Sequence, residues 1–479
     1  MKILFADFKI AKYGGIVEHV VAKVRALQKL GHEVDIVQIA PQSIQKANYD
    51  KRIKQFRDKT YDGKLVLQSQ NLGYEFEPYT GYWKNPYYGF FLPPNRLIGA
   101  FDDDALLKWY DLVDGVDLII WNFMPTQNEI WKQQKGKELD FWWRFFDLPS
   151  DEIKQIFIVH DAYFDVRASQ ITALKEKVLF LDCAHIAAYR CCENIGIPRT
   201  LLLNPRFFDD KDKMPEIKMS SRPLDFFSAH IFKPNKKMDS IIRAFPYLNG
   251  QCSLEIAGSG IEQAYMTAGQ RSAVKPVYLC DRKYDPDLPE KYVGKNITIW
   301  NRAMESGMEY VGQLSYESVA NHLQNSKFAI DASYSSHYAQ YCRTHINGFT
   351  IEAIMNGCHP IYVDYSGDEN IKDILFDNLN AIVIPFDVTP KQFAGYMKKA
   401  LKLDNKTYRH HTLHNYEVVR ELFNAETNMK EVLRLVKGGK RLINKELEIG
   451  VDSKKVTEIT EKTMKNFFHI DLPIQWLTD

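Results

Sequence analysis

The sequence predicts an α/β protein of two domains, each built on a parallel β-sheet covered by helices, with a helical C-terminal tail. Three observations predict it. The chain opens as strand, Gly turn, helix, strand. The same alternation resumes near residue 116 and again at residue 224. A polar, charged stretch over 209–222 separates the two runs. At roughly 100–200 residues per domain, 479 residues make about two to four domains, and two large ones fit best.

The first element is a buried strand over 2–8, followed by a turn at Tyr13-Gly14-Gly15. Residues 16–30 have helical periodicity, with Ile16, Val20, Val24 and Leu27 on one face. Gly31 ends that helix, and 33–37 is the second strand. Such a unit implies parallel pairing with the crossover helix packed on the sheet. Residues 41–110 break the rhythm: 46–64 is rich in Lys and Arg, and 74–94 carries nine Tyr, Phe and Trp among Gly and Pro. This stretch is expected to be an elaborated loop region over a sheet edge. Strands follow at 116–121, 153–159, 178–181 and 200–203, the second ending at His160-Asp161. The second run has a strand over 224–232, a helix over 240–248, a strand over 252–257 and a turn at Gly258-Ser259-Gly260. Later strands are expected at 297–300, 328–332, 359–363 and 381–384, with helices at 315–324 and 350–355, the latter ended by Gly357. The expected domains are 1–215, 216–415 and a tail over 416–479, and the two α/β domains make a cleft where strand C-termini meet.

Composition sets limits on function. Sixty-two basic residues against 61 acidic ones exclude a wholesale polycation, so any nucleic-acid surface has to be local. The seven Cys form no Cys-x-x-Cys pair, and an odd number in a large chain points to a reduced, intracellular protein. The N-terminus has only a short apolar run before Asp7, which fits a first strand and not a signal peptide. No run of about 18 apolar residues is present, so no membrane-spanning helix is expected. Cytoplasmic localisation follows as an expectation. No His-Glu-x-x-His, clustered Cys or calcium-loop motif appears, and no essential metal is expected.

Several residues carry candidate chemistry. Gly14-Gly15 follows the first strand and opens the first helix, and Gly258-Ser259-Gly260 follows a strand of the second domain. Each turn suits either close approach of a ligand and anion binding by free N–H groups, or simply a tight turn. The densest polar cluster runs from Tyr341 to Glu352 and holds Arg343, Thr344, His345, Asn347 and Glu352. A carboxylate at a helix start caps the helix or accepts two sugar hydroxyls. Lys233, Lys236, Lys237 and Arg243 follow the strand over 224–232 and either neutralise a pyrophosphate or form a solvated basic loop. His160 closes a strand, where an imidazole either exchanges a proton or is merely hydrogen-bonded.

These motifs, in this order over about 350 residues, resemble retaining glycosyltransferases built from two Rossmann-like domains facing a central cleft, the GT-B fold. The pieces are the Gly-Gly turn, Leu30-Gly31-His32-Glu33-Val34, the basic turn after the first strand of domain two, 254–260, and Gly348-Phe349, Glu352-Ala353, Gly357 and Pro360. Within that class, 116–125, His160-Asp161, 343–352, 357–362 and 366–370 are most similar to the DNA α-glucosyltransferases of T-even-type bacteriophages. The family has an Arg and a Lys beside the turn after the first strand of domain two. Here the Arg position is His230 or Ile231, and the Lys is Lys236. Two family Glu positions are Thr344 and Asn347.

The resemblance implies transfer of a sugar from a nucleoside diphosphate, a UDP-sugar, with retention and without a tightly bound cofactor. It implies Lys236, with Lys233 or Arg343 as alternates, on the pyrophosphate; Glu352 on the ribose; and Asn347 and Thr344 on sugar hydroxyls. His230, Gly258 and Gly260 complete the donor site. His160 and the Gly15 backbone lie near the sugar, and Asp161 orients His160 or the acceptor hydroxyl. The implied acceptor is hydroxymethylcytosine or a related base in double-stranded phage DNA, extruded to reach the cleft, within the host cytoplasm. The basic stretch 51–64 and the aromatics over 74–91 are the expected DNA contacts. A saccharide or lipid-linked glycan acceptor is the alternative, and a sugar-nucleotide sensor without turnover is the non-enzymatic one.

Overall fold

The computed structural model describes residues 1–7, 15–40, 68–70, 74–76, 97–99, 103–122, 146, 149–160, 174–184, 188–189, 192, 196–201, 206, 208, 217–232, 236–258, 278–314, 316–333, 347–365 and 379–438. The chain divides into two units, Met1–Asp210 together with Arg420–Asp479, and Lys211–Val419.

The first unit opens with β1 (Lys2–Asp7), α1 (Gly15–Lys29) and β2 (Glu33–Ala40). β1 pairs parallel with β2, from Lys2 opposite Glu33 to Asp7 opposite Gln38. Val20, Val24 and Leu27 of the predicted helix face are buried, each contributing about 1.5–3 kcal/mol. Gly31 has φ 83°, a left-handed conformation that glycine adopts without strain and that turns the chain directly into β2. In the stretch where the rhythm breaks, β3 (Gln68–Gln70) and β4 (Tyr74–Phe76) pair antiparallel, and β5 (Leu97–Gly99) forms the sheet edge beside β2. The basic stretch 51–64 and most of 74–91 lie outside the described residues.

α2 (Asp103–Val113) leads into β6 (Leu118–Trp121), β7 (Lys154–Val159), β8 (Val178–Cys183) and β9 (Arg199–Leu201). The strand order is β5-β2-β1-β6-β7-β8-β9, and every pairing is parallel. β6 and β8 are buried along their whole length, as strands covered on both faces must be. Trp121 stacks on Phe157 at 5.7 Å between ring centres. Its Nε1–H donates to Gln155 Oε1 at 2.8 Å, which satisfies the buried indole.

The second unit is anchored where the charged connecting stretch ends. Arg222 is buried, and its guanidinium donates to the carbonyls of Leu323, Ser326 and Asn356 at 2.8 Å each. The elements that follow are β10 (Leu224–Ala229), α3 (Met238–Ala244), β11 (Leu254–Ala257), α4 (Ile299–Glu305) and β12 (Met308–Gly312). Then come α5 (Tyr316–Asn325), β13 (Ser326–Asp331), α6 (Gly348–Met355), β14 (His359–Asp364) and β15 (Ile382–Pro385). The all-parallel order β12-β11-β10-β13-β14-β15 is the Rossmann order counted from β10. α7 (Pro390–Leu401) and α8 (Asn405–Leu422) follow, and α9 (Ala425–Lys437) belongs to the first unit. α9 packs on α1, with Lys29 paired to Glu426 at 2.9 Å.

Two expectations are corrected. Residues 297–300 are not a strand: Thr298 caps α4, its Oγ1 accepting from the Asn301 N–H at 3.0 Å. The strand in that region is β12, ten residues further on, half exposed at the sheet edge. The helix placed at 350–355 begins at Gly348, because Asn347 is its cap.

Candidate functional site

In an open parallel sheet, ligands bind outside the strand C-termini where the strand order reverses. Each unit has one such point. In the second unit it lies between β10 and β13; in the first, between β1 and β6.

At the second unit's switch point, the chain leaves β10 at His230 and β13 ends at Asp331. Both are buried, with His230 Nε2 at 3.4 Å from Asp331 Oδ1. That nitrogen lacks hydrogen-bond geometry, so the contact is electrostatic. Asp331 is held on its other sides: Oδ1 accepts from the Ser333 N–H at 2.9 Å, and Oδ2 accepts from Thr350 Oγ1 at 2.8 Å. Burial pushes the Asp331 pKa up, but neighbouring His230, the charge of Lys236 and the Ser333 contact outweigh it and hold the carboxyl well below its usual range. Asp331 is therefore a fixed anion. Lys236, partly exposed, is close enough to act on it.

Asn347 caps α6, its Oδ1 accepting from the N–H groups of Phe349 and Thr350 at 2.9 and 3.3 Å. Its Nδ2 is buried without a hydrogen-bond partner. An orphaned amide beside a helix N-terminus is a donor available to an anionic or hydroxylated ligand. Glu352 is buried one turn into α6, so it does not cap the helix. The Phe349 ring meets His230 edge-on, with centres 4.9 Å apart.

Gly258 follows β11 with φ 144°, and a Cβ there would lie 1.8 Å from the His230 carbonyl oxygen. The Gly258 N–H donates to Gly312 O at 2.9 Å, and Tyr310 Oη donates to Gly258 O at 2.8 Å. The glycine thus lets the β11 turn press against the backbone that carries His230. The structure brings together His230, Lys236, Gly258 and Asn347 around one sheet end, with Glu352 one turn further along α6. Lys233, Gly260, Arg343 and Thr344 lie outside the described residues.

At the first unit's switch point, Gly15 is the first residue of α1, and Asn122 directly follows β6. His160, just past β7, is buried, with Nε2 at 3.0 Å from Asn122 Oδ1 and Nδ1 at 3.4 Å from His19 Nδ1 on α1. One turn further along α1, Lys23 pairs with Asp182 of β8 at 2.6 Å, both 1% exposed. Burial raises the Asp182 pKa, and the Lys23 charge only partly offsets that. Asp161 lies outside the described residues.

Sequence reasoning missed Asp331, Thr350, His19, Asn122 and the Lys23–Asp182 pair. The available signal was a charged or polar residue inside an apolar pattern: Asp331 ends the run Phe328–Ile330, and Lys23 interrupts the apolar face of α1. Among the described residues, no group of three or more His, Cys, Asp or Glu side chains is placed to hold a metal ion. No described helix is long and apolar enough to cross a membrane.

No family model matches the sequence, and no curated protein matches it. Solved structures do match. HepE of Anabaena in complex with UDP aligns over 91% of this chain and 100% of its own, with TM-score 0.53 and 9% identity. An alpha-glucosyltransferase in complex with UDP-glucose and DNA containing an abasic site covers 91% and 99%, with TM-score 0.54 and 11% identity. A glycosyltransferase from Rickettsia africae ESF-5 covers 91% and 98%, with TM-score 0.50 and 12% identity. At such identities the likeness is one of fold. By the strand order of both sheets and by these likenesses, the chain has the two-domain α/β fold of GT-B glycosyltransferases.

Proposed function

We propose that this chain is a retaining glycosyltransferase that uses a nucleoside-diphosphate sugar, a UDP-sugar, as donor. The observation that carries this reading is the second unit's switch point. There an orphaned Asn347 amide, Lys236 and His230 gather at the N-terminus of α6, on a fold whose solved examples hold UDP or UDP-glucose. As the bond from the sugar C1 to the diphosphate oxygen breaks, negative charge grows on the leaving group. Lys236 and the α6 N-terminus stabilise it. Asn347 Nδ2 donates to the donor, and Glu352 accepts from ribose hydroxyls. The acceptor oxygen bonds to C1 on the face the diphosphate leaves, and its proton passes to the departing phosphate. The motif resemblance adds His160 and Gly15 to this reading as residues for the sugar. Asp331, already ionised and triply engaged, holds His230 in place.

The acceptor in this reading is hydroxymethylcytosine or a related modified base in DNA. It is supported by the motif resemblance and by the likeness to an alpha-glucosyltransferase bound to DNA. A glycan acceptor is the second reading, favoured by the equally good likeness to HepE, which was solved with UDP and glucose. Intact-mass analysis of modified and unmodified DNA with a panel of nucleotide sugars separates them. One glycosyl residue added per modified base is expected. Sugar transferred only to low-molecular-weight glycan overturns the DNA acceptor, and no UDP release with any acceptor overturns the transferase.

A further inference from the structure

His160 has both ring nitrogens engaged inside the first unit. Asn122 Oδ1, a carbonyl oxygen, lies 3.0 Å from Nε2, so Nε2 carries the hydrogen and donates. In the neutral ring Nδ1 then holds a lone pair, and the group facing it is Nδ1 of His19 at 3.4 Å. Two imidazole nitrogens form a hydrogen bond only if one is protonated and the other bare, so His19 must carry its proton on Nδ1. Ring orientation agrees. The planes differ by 17° and the centres are 5.3 Å apart, almost two ångström more than the 3.4 Å between the nitrogens. The near-parallel rings therefore turn their Nδ1 edges toward each other, as an N–H···N contact requires. Both side chains are buried, so water does not readily substitute for either partner.

We infer that His19 is a positioning residue for His160: with Asn122 it locks the His160 ring in the neutral Nε2–H tautomer, at one orientation, at the C-terminal end of β7. The three residues come from α1, β6 and β7 and meet beside the switch point of the sheet. The lock takes His160 out of proton transfer. A ring whose donor serves Asn122 and whose lone pair serves His19 has no nitrogen left to act as acid or base toward an acceptor hydroxyl. Its catalytic weight rests on the glycosyl-transfer reading and lies in holding one fixed imidazole orientation beside the switch point of the first sheet. The tautomer lock itself is independent of that reading.

The test is long-range proton–nitrogen correlation on full-length protein labelled in its histidine rings, with assignments from single-site variants. The wild type is expected to show His160 protonated at Nε2 and bare at Nδ1, and His19 protonated at Nδ1. His19→Asn puts an amide N–H where Nδ1–H was and keeps the His160 pattern. His19→Phe removes the donor, and His160 then divides between both tautomers. In glycosyl transfer, His19→Phe lowers kcat on the order of 10- to 100-fold with donor KM little changed, and His19→Asn recovers most of it. A wild-type His160 protonated at Nδ1 overturns the proposal. So does a His160 tautomer pattern that His19→Phe leaves untouched. If no donor is turned over with any acceptor, the transferase reading falls, and the ring-nitrogen pattern alone decides the lock.

Discussion

Acidification should weaken the second unit through one buried imidazole. His359 starts β14 with no exposed surface, between Phe328 and Tyr408. Its Nε2 lies 3.2 Å from His411 Nδ1 on α8. Burial, and then the charge of His411, push its pKa down to about 3 from the usual 6.5. The sign follows from proton counting. Above pH 6.5 neither folded nor unfolded chain binds this proton, so the full stability is present. Between 6.5 and about 3 the unfolded chain takes up a proton that the folded one refuses, and stability falls as pH falls. The slope approaches about 1.4 kcal/mol per pH unit, so moving from about pH 7 to about pH 5 removes about 2 kcal/mol. Acidification acts on the rest of the chain as well, so the measurement is a difference. Urea unfolding is followed at both pH values by hydrogen exchange of β14 peptides, in wild type and His359→Phe. The wild type should lose about 2 kcal/mol more than the variant on acidification. Equal losses in both proteins would show that His359 is not held neutral.

Three further outcomes follow from the two switch points. Lys23→Met leaves Asp182 buried without its cation and should cost about 3–5 kcal/mol in chemical denaturation; adding Asp182→Leu should restore most of it. Asn347→Ala removes the α6 cap and should cost about 1 kcal/mol, whereas Asn347→Ser keeps a capping oxygen. Both should weaken UDP binding by calorimetry, since both lack Nδ2, and full affinity in Asn347→Ser would remove that amide from the donor site. Gly258→Ala forces a Cβ against the His230 carbonyl at a φ of 144°. The strain is about 1–3 kcal/mol before the clash is added, so both Tm and UDP affinity should drop. An alanine variant that melts and binds like wild type would contradict the close approach.

Much of the fold was legible because parallel sheets leave a local trace. Buried strands such as β8 and β13 are short apolar runs, and the opening strand–helix–strand unit appears within forty residues. The misreadings have physical causes. Residues 297–300 form an apolar run too short for periodicity to separate strand from helix, and the Thr298 cap decided it. β12 is a half-exposed edge strand whose Glu309 and Tyr310 hide its pattern. Asn347-Gly348 looks like a turn and is a cap followed by the first helical residue. In the site, His160 and His230 were visible as polar residues at strand ends, and Glu352 as a carboxylate beside an apolar helical run. Their partners were not: His19 meets His160 across 141 positions, and Thr350 meets Asp331 across the β13–α6 connection. Such pairings are made by topology, and local pattern carries no record of them.

The return of the chain to the first unit bears on how the protein is made. α1 is synthesised some four hundred residues before α9, which packs on it. Lys29 waits for Glu426, and Lys154 Nζ, whose hydrogen bond to Val436 O is 2.7 Å, waits for the same helix. On the ribosome the second unit can close as soon as it emerges, because its sheet and helices are contiguous. The first unit stays open along α1 until the whole of the second has been synthesised. Nascent-chain order is thus inverted, and a truncated first half would display an apolar helix flank to chaperones and proteases rather than fold as a free-standing domain.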